Sequence, residues 1–187
     1  ALDSGTDYSV YALSVSGNDL YVGGEFETAT NAGGMAVTVN RIAKWDGSDW
    51  ETLGWGMNDV VRALAVSGSN VYVGGDFTMA TNSGGMAVTV NRIAKWDGSD
   101  WETLGIGMND VVRALVVSGS NVYAGGSFTT ATNSGGIAVT ANRAAEWNGS
   151  SWSALGSVGG DVYALAVSGS DVYAGGSFTY VVIGEGD

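Results

Sequence analysis

The chain has 187 residues, 31 of them glycine, no cysteine, histidine or proline, and a formal net charge of -12. That length suits one domain with a sizeable core, and the missing thiols and imidazoles exclude disulfides, thiolate nucleophiles, Cys/His zinc sites and histidine general bases. Only 14% of residues are charged, with acids outnumbering bases, which argues against nucleic acid and anionic membranes as partners.

No apolar run approaches the roughly 18 residues that cross a bilayer, so no membrane insertion is expected. Residues 1–10 also lack the basic start and apolar stretch of a signal peptide; secretion would need a signal outside this sequence. Residues 1–5 align instead with 154–157, the tail of a strand that recurs downstream.

From residue 10 onward the apolar residues alternate with period two and leave no helical stripe. The second copy of the pattern is the clearest. Residues 60–66 predict a strand that stops at the Ser67-Gly68-Ser69-Asn70 turn, and 71–77 predict a second. A third covers 92–96 and closes on Asp97-Gly98, a hairpin dipeptide whose glycine tolerates positive φ. Residues 101–104 form the fourth. Between strands two and three, residues 78–91 hold an Asn82-Ser83-Gly84-Gly85 turn and an alternating 86–90 stretch. This stretch is read as an extension of the hairpin beyond the sheet.

The unit recurs. Residues 30–54 return at 81–105 with one change, Ala32 against Ser83, and again, more diverged, at 132–156. A four-stranded meander with a period of about 50 residues indicates an all-β propeller of four-stranded antiparallel blades. Leu64, Val66, Val71, Val73 and Trp96 should fill the space between blades. The Gly-Gly pairs after strand two (23–24, 74–75, 125–126, 175–176) should permit a close backbone approach or a bulge. About four blades are expected, at residues 10–53, 60–104, 111–155 and 162–187. The last ends early, and two closures follow. Either residues 1–5 complete it, with residues 180–183 as its third strand, or the ring is finished by another chain or by further sequence. Open blade edges invite association, so self-association is expected.

The double glycine after a Tyr-Val strand, followed by a Trp on the next strand, resembles the kelch repeat. The string NRIAKWDGSDWETLG is similar to blades of bacterial secreted and surface propellers. Trp96 stands farther from the glycines than in a kelch blade, and the extended hairpin accounts for the gap. The resemblance implies a binding or scaffolding module that is secreted or at the cell surface. The Asp46-Gly47-x-x-Trp50 turn is similar to the Asp-box of sialidase propellers, but its spacing departs, which favours a structural hairpin.

Residues shared by every copy are explained first by architecture, so differences between copies mark candidate sites. Trp55 becomes Ile106 and Ser157 in the other repeats; an aromatic flanked by glycines and followed by Asn58 and Asp59 suits a sugar ring or a protein partner. Asn109, Asp110 and Asp161 occupy the corresponding loops, with Asn31, Asn82 and Asn133 on the same expected face. Such oxygen ligands suit calcium; the competing reading is that the Asp residues cap turns, and no cofactor is assigned. No metal ligands and no catalytic residues are assigned either. A purely structural, self-assembling or designed propeller without ligand is the alternative. A carboxylate glycosidase would need an acid pair, yet Glu51 and Glu102 sit at one repeated outer-strand position.

Overall fold

The computed structural model describes residues 5–182. It is all-β, and its strands assemble into blades in the order that the alternation predicts. The first blade pairs Val10–Ser16, Asp19–Gly24, Ile42–Trp45 and Trp50–Thr52 in sequence order. The second pairs Val61–Ser67, Asn70–Gly75, Ile93–Trp96 and Trp101–Glu102. The third pairs Val112–Ser118, Asn121–Gly126, Ala144–Trp147 and Trp152–Ala154. In the fourth, Val162–Ser168 pairs with Asp171–Gly176. The first strands of consecutive blades lie beside one another, so the blades form one continuous series.

Apolar faces meet between blades. Ile42 and Leu53 of the first blade join Val61, Leu64, Val71, Val73, Trp96 and Trp101 of the second in one buried cluster, with Val66 packed against it. Ile93 and Leu104 repeat the arrangement one blade on, with Val112, Val122 and Trp152. The outer hairpin of each full blade is fastened by a cross-strand tryptophan pair: Trp45–Trp50, Trp96–Trp101 and Trp147–Trp152, with ring centroids 5.2–5.3 Å apart. In the second and third blades the second member of the pair also reaches the preceding blade. Trp101 Nε1 donates to the Leu53 carbonyl at 3.0 Å, and Trp152 Nε1 to the Leu104 carbonyl at 2.7 Å.

The two glycines of each pair differ in role. A Cβ on Gly74 or Gly125 would stand 2.5 Å from Cγ1 of Val112 or Val162 on the next blade, so the first glycine is the socket for its neighbour. A Cβ on Gly75 would strike the Val60 carbonyl in its own blade, where the ladder slips between Gly74 and Gly75. Close approach and bulge are both present, one per glycine.

The stretch between strands two and three is a hairpin in every full repeat, Met79–Thr81 pairing with Ala87–Thr89 in the second. The segment entering each blade adds a third strand to it: Gly56–Met57 pairs with Ala80 and Thr81, and Gly107–Met108 with Ala131 and Thr132. Gly5–Thr6 does the same in the first blade; residues 1–4, the rest of the expected clasp, lie outside the described residues. One reading is corrected. Val181–Val182 pairs with Ser157–Val158, the place of the first hairpin arm, and so is not a third blade strand. The third strand of blade two also starts at Ile93, one residue later than expected, because Asn91 and Arg92 both adopt positive φ, 37 and 70°.

Candidate functional site

In each full repeat the hairpin after strand two forms a three-stranded sheet with the segment that enters the blade. Trp55 lies on the segment between blades one and two, bracketed by Gly54 and Gly56, whose φ values are 61 and 80°. Its backbone is tied on both sides: the Trp55 N–H donates to the Thr81 carbonyl at 2.7 Å, and its carbonyl accepts from Asn40 Nδ2 at 2.6 Å. The side chain is left 58% exposed. Its Cη2 edge comes against Gly85 in the hairpin turn. Beside the ring opens a cleft of about 390 Å³ lined by Thr38, Asn40, Thr52, Gly54 and Trp55. An indole, two threonines and an asparagine therefore border one concavity where the chain leaves the first blade.

The other sequence candidates are held by the fold. Asn58 Oδ1 accepts from the backbone N–H groups of Thr78 and Met79, both at 2.9 Å, and its Nδ2 donates to Thr78 Oγ1 at 3.1 Å. Asn109 makes the same set with Thr129 and Thr130, and Asp7 fills the role in the first repeat. Asp59 and Asp110 accept from the next backbone N–H, Val60 and Val111, at 2.8 and 2.7 Å, as turn caps do. Asp161 accepts from Ser127 Oγ at 2.8 Å and lies 3.8 and 3.9 Å from Arg113 and Arg143. In the second blade Arg62 pairs with Asp76 at 2.6 Å; where that acid becomes Ser127, Asp161 supplies the charge across the seam. Asn31 and Asn82 are buried, and each carboxamide oxygen accepts from the N–H of an outer-strand tryptophan, Trp50 or Trp101, at 2.6 Å. Asn133 binds Trp152 likewise. These amide oxygens face backbone donors in their own blades, and among the described residues no group of three or more acids gathers.

Sequence reasoning missed the Asn40-Arg41 corner and its copies Asn91-Arg92 and Asn142-Arg143. All six residues have positive φ, and the corner carbonyls latch the next blade: Asn40 accepts from Met57 and Asn91 from Met108, at 3.0 and 2.9 Å. The recurrent Asn-Arg dipeptide was the available signal, since asparagine tolerates the left-handed region far better than most residues.

On the outer hairpins, Asp46 Oδ1 accepts from Ser48 N, Ser48 Oγ and Asp49 N, each at 2.8 Å, and Asp97 repeats the pattern. The backbone donors Asp49 and Asp100 lead in holding these carboxyls at about 2, down from 3.8. Such a depressed group contributes stability that is complete above 3.8 and lost as pH falls through about 2. Asn148 builds the same turn in the third repeat without titrating. Asp46→Asn together with Asp97→Asn is therefore expected to flatten the acid side of a stability-versus-pH curve. An unchanged curve would show that these turns do not sense pH.

A second cleft, about 330 Å³, runs between blades one and two past Asp19, Tyr21, Lys44 and Glu51. Lys44 sits 2.6 Å from Glu51 and 3.8 Å from Asp19. The hydrogen bond to Glu51 raises the Lys44 pKa, and burial raises that of Tyr21.

Four-stranded antiparallel blades, packed in series through their first strands, define a β-propeller-type repeat protein. In fold it is similar to two computationally designed proteins. Ika4 matches 97% of this chain and 95% of its own at TM-score 0.55 and 18% identity. Ika8 matches 92% of this chain and 57% of its own at TM-score 0.52 and 18% identity. No family model matches the chain. In sequence it is 34% identical over 116 residues to polarized growth protein L1 of Phoma sp., covering 62% of this chain and 8% of that protein. It is 27% identical over 165 residues to polarized growth protein rax2 of Schizosaccharomyces pombe, covering 80% of this chain and 13% of that protein. The chain thus spans a small part of the length of these relatives.

Proposed function

We propose that the chain is a non-catalytic, kelch-like binding and scaffolding module, secreted or on the cell surface, that holds a glycan or protein on its hairpin face. The observation that carries this reading is Trp55: an indole 58% exposed, present in one repeat only, on a backbone hydrogen-bonded on both sides, beside a cleft that two threonines and an asparagine help to line. An aromatic plane with flanking hydroxyls suits a sugar ring by stacking and hydrogen bonding, or a protein partner as a buried anchor. Met35, Met86 and Ile137, exposed on the same hairpins, extend the apolar surface. A non-catalytic role is supported by the use of Asn58, Asn109, Asp59, Asp110 and Asp161 as staples, caps and a seam ion pair. The likeness to two polarized growth proteins supports a place in directed growth, where a surface module would act.

Screening the chain against a glycan array and a library of surface proteins, with Trp55→Ala in parallel, tests the reading. Binding by the unaltered chain is expected to fall about 30-fold in the variant, which corresponds to about 2 kcal/mol for a contact anchor. Undiminished binding by Trp55→Ala removes the cleft from the reading. Absence of any binder across both panels favours the alternative, a propeller that only assembles.

A further inference from the structure

The seam between blades is one plug and one socket used three times. Gly23 receives Val61 and Leu64, Gly74 receives Val112 and Leu115, and Gly125 receives Val162 and Leu165; each leucine Cδ1 would lie 3.3 Å from a Cβ on the glycine. The strand-two tyrosine of the earlier blade leans on the same cluster, Tyr21 on the first and Tyr72 on the second. Among the described residues, the same parts on the first and fourth blades are present but unmatched. On the first blade Val10 and Leu13, the equivalents of Val61 and Leu64, are 41% and 62% exposed, and Val15 is exposed beside them. On the fourth blade Tyr173 is 57% exposed. Among the described residues, a Cβ on Gly175 would meet nothing nearer than Ala164 of its own blade, at 3.8 Å.

We propose that two copies of this chain associate head to tail, Val10 and Leu13 of one copy seating on the Gly175 and Tyr173 face of the other. The contact continues the interface that already joins the blades and reuses its residue types at the same repeat positions. It is heterologous: each copy contributes a plug at one end and a socket at the other, so it builds a ring where the rotation closes and a filament where it does not. Tyr163 and Tyr11 would stand side by side at this seam, in the positions that place Arg62 against Tyr11 and Arg113 against Tyr163 within the chain. Val10, Leu13, Tyr173 and Gly175 carry no charge; the exposed Asp171, two residues before Tyr173 on the same strand, is the acid that this contact would have to accommodate.

Light scattering after size exclusion, from about 1 μM to about 1 mM protein, tests the proposal with Leu13→Asp in the plug and Gly175→Leu in the socket. Both positions are exposed, so both variants should melt as the unaltered chain does. The unaltered chain is expected to move from 19.0 kDa to multiples of that mass as concentration rises. Each variant alone should associate about 100-fold more weakly, as expected for putting a charge in place of a buried leucine or filling its socket. An equimolar mixture should regain a species of twice 19.0 kDa, because each variant retains the end that the other lacks. A chain that stays at 19.0 kDa throughout overturns the proposal, whether its ends close on themselves or await a different polypeptide. So do variants that associate as tightly as the original, or that fail to complement each other.

Discussion

Replacing Trp101 with alanine is expected to destabilise the chain by about 3–5 kcal/mol, the usual cost of truncating a fully buried aromatic. Three losses combine. The indole is buried in the cluster between the first two blades. Its ring packs on Trp96 at 5.2 Å, and its Nε1–H is the direct hydrogen bond to the Leu53 carbonyl. Trp101→Phe keeps most of the burial and forfeits chiefly that bond, worth about 1 kcal/mol. Urea unfolding of the two variants separates packing from hydrogen bonding. A similar, small loss in both would mean that the outer strands contribute little and that stability resides in the first strands.

Gly74→Ala is the second large effect, about 1–3 kcal/mol from overpacking. The added methyl would stand 2.5 Å from Val112 Cγ1 and 3.0 Å from its Cβ, and Val112 is itself fully buried in the next cluster. The relief available is a shift of the whole third blade away from the second, which thins the cluster around Val112, Val122 and Trp152. Thermal unfolding should show a melting point lower by about 2–4 °C per kcal/mol for a chain of this size. Equal stability to the unaltered chain would show that the blades are not held at the spacing described.

The repeat, the four-stranded meander and the projecting hairpin were legible in the sequence because they rest on local signals: period-two alternation, Asp-Gly and Asn-x-Gly-Gly turns, and near-identical copies. The double role of the paired glycines was half legible, since either glycine alone suggests a close approach but not which neighbour approaches. The two-residue strand Gly56–Met57 left no signal, because a segment that short is defined by what it pairs with. For the same reason residues 181–182 read as a blade strand when they are a hairpin arm. Asn58 and Asn109 looked like a ligand's partners because loop asparagines bear polar groups. In the structure each carboxamide oxygen accepts from backbone donors 20 and 21 residues away, which only the folded hairpin brings near. Trp55 stood out because its position varies between repeats, and the structure leaves its side chain exposed.

The tryptophans of this repeat fall into two groups. Those common to all three full copies build the blades, and Trp55, whose position varies between copies, is exposed and is the proposed contact. The melting temperature of Trp55→Ala tests that division most directly. The expected result is a value within about 2 °C of the unaltered chain, since removing an exposed side chain costs about 0.5 kcal/mol or less. A fall of about 6 °C or more would place the indole in the core of the blade seam and contradict its assignment as a binding surface.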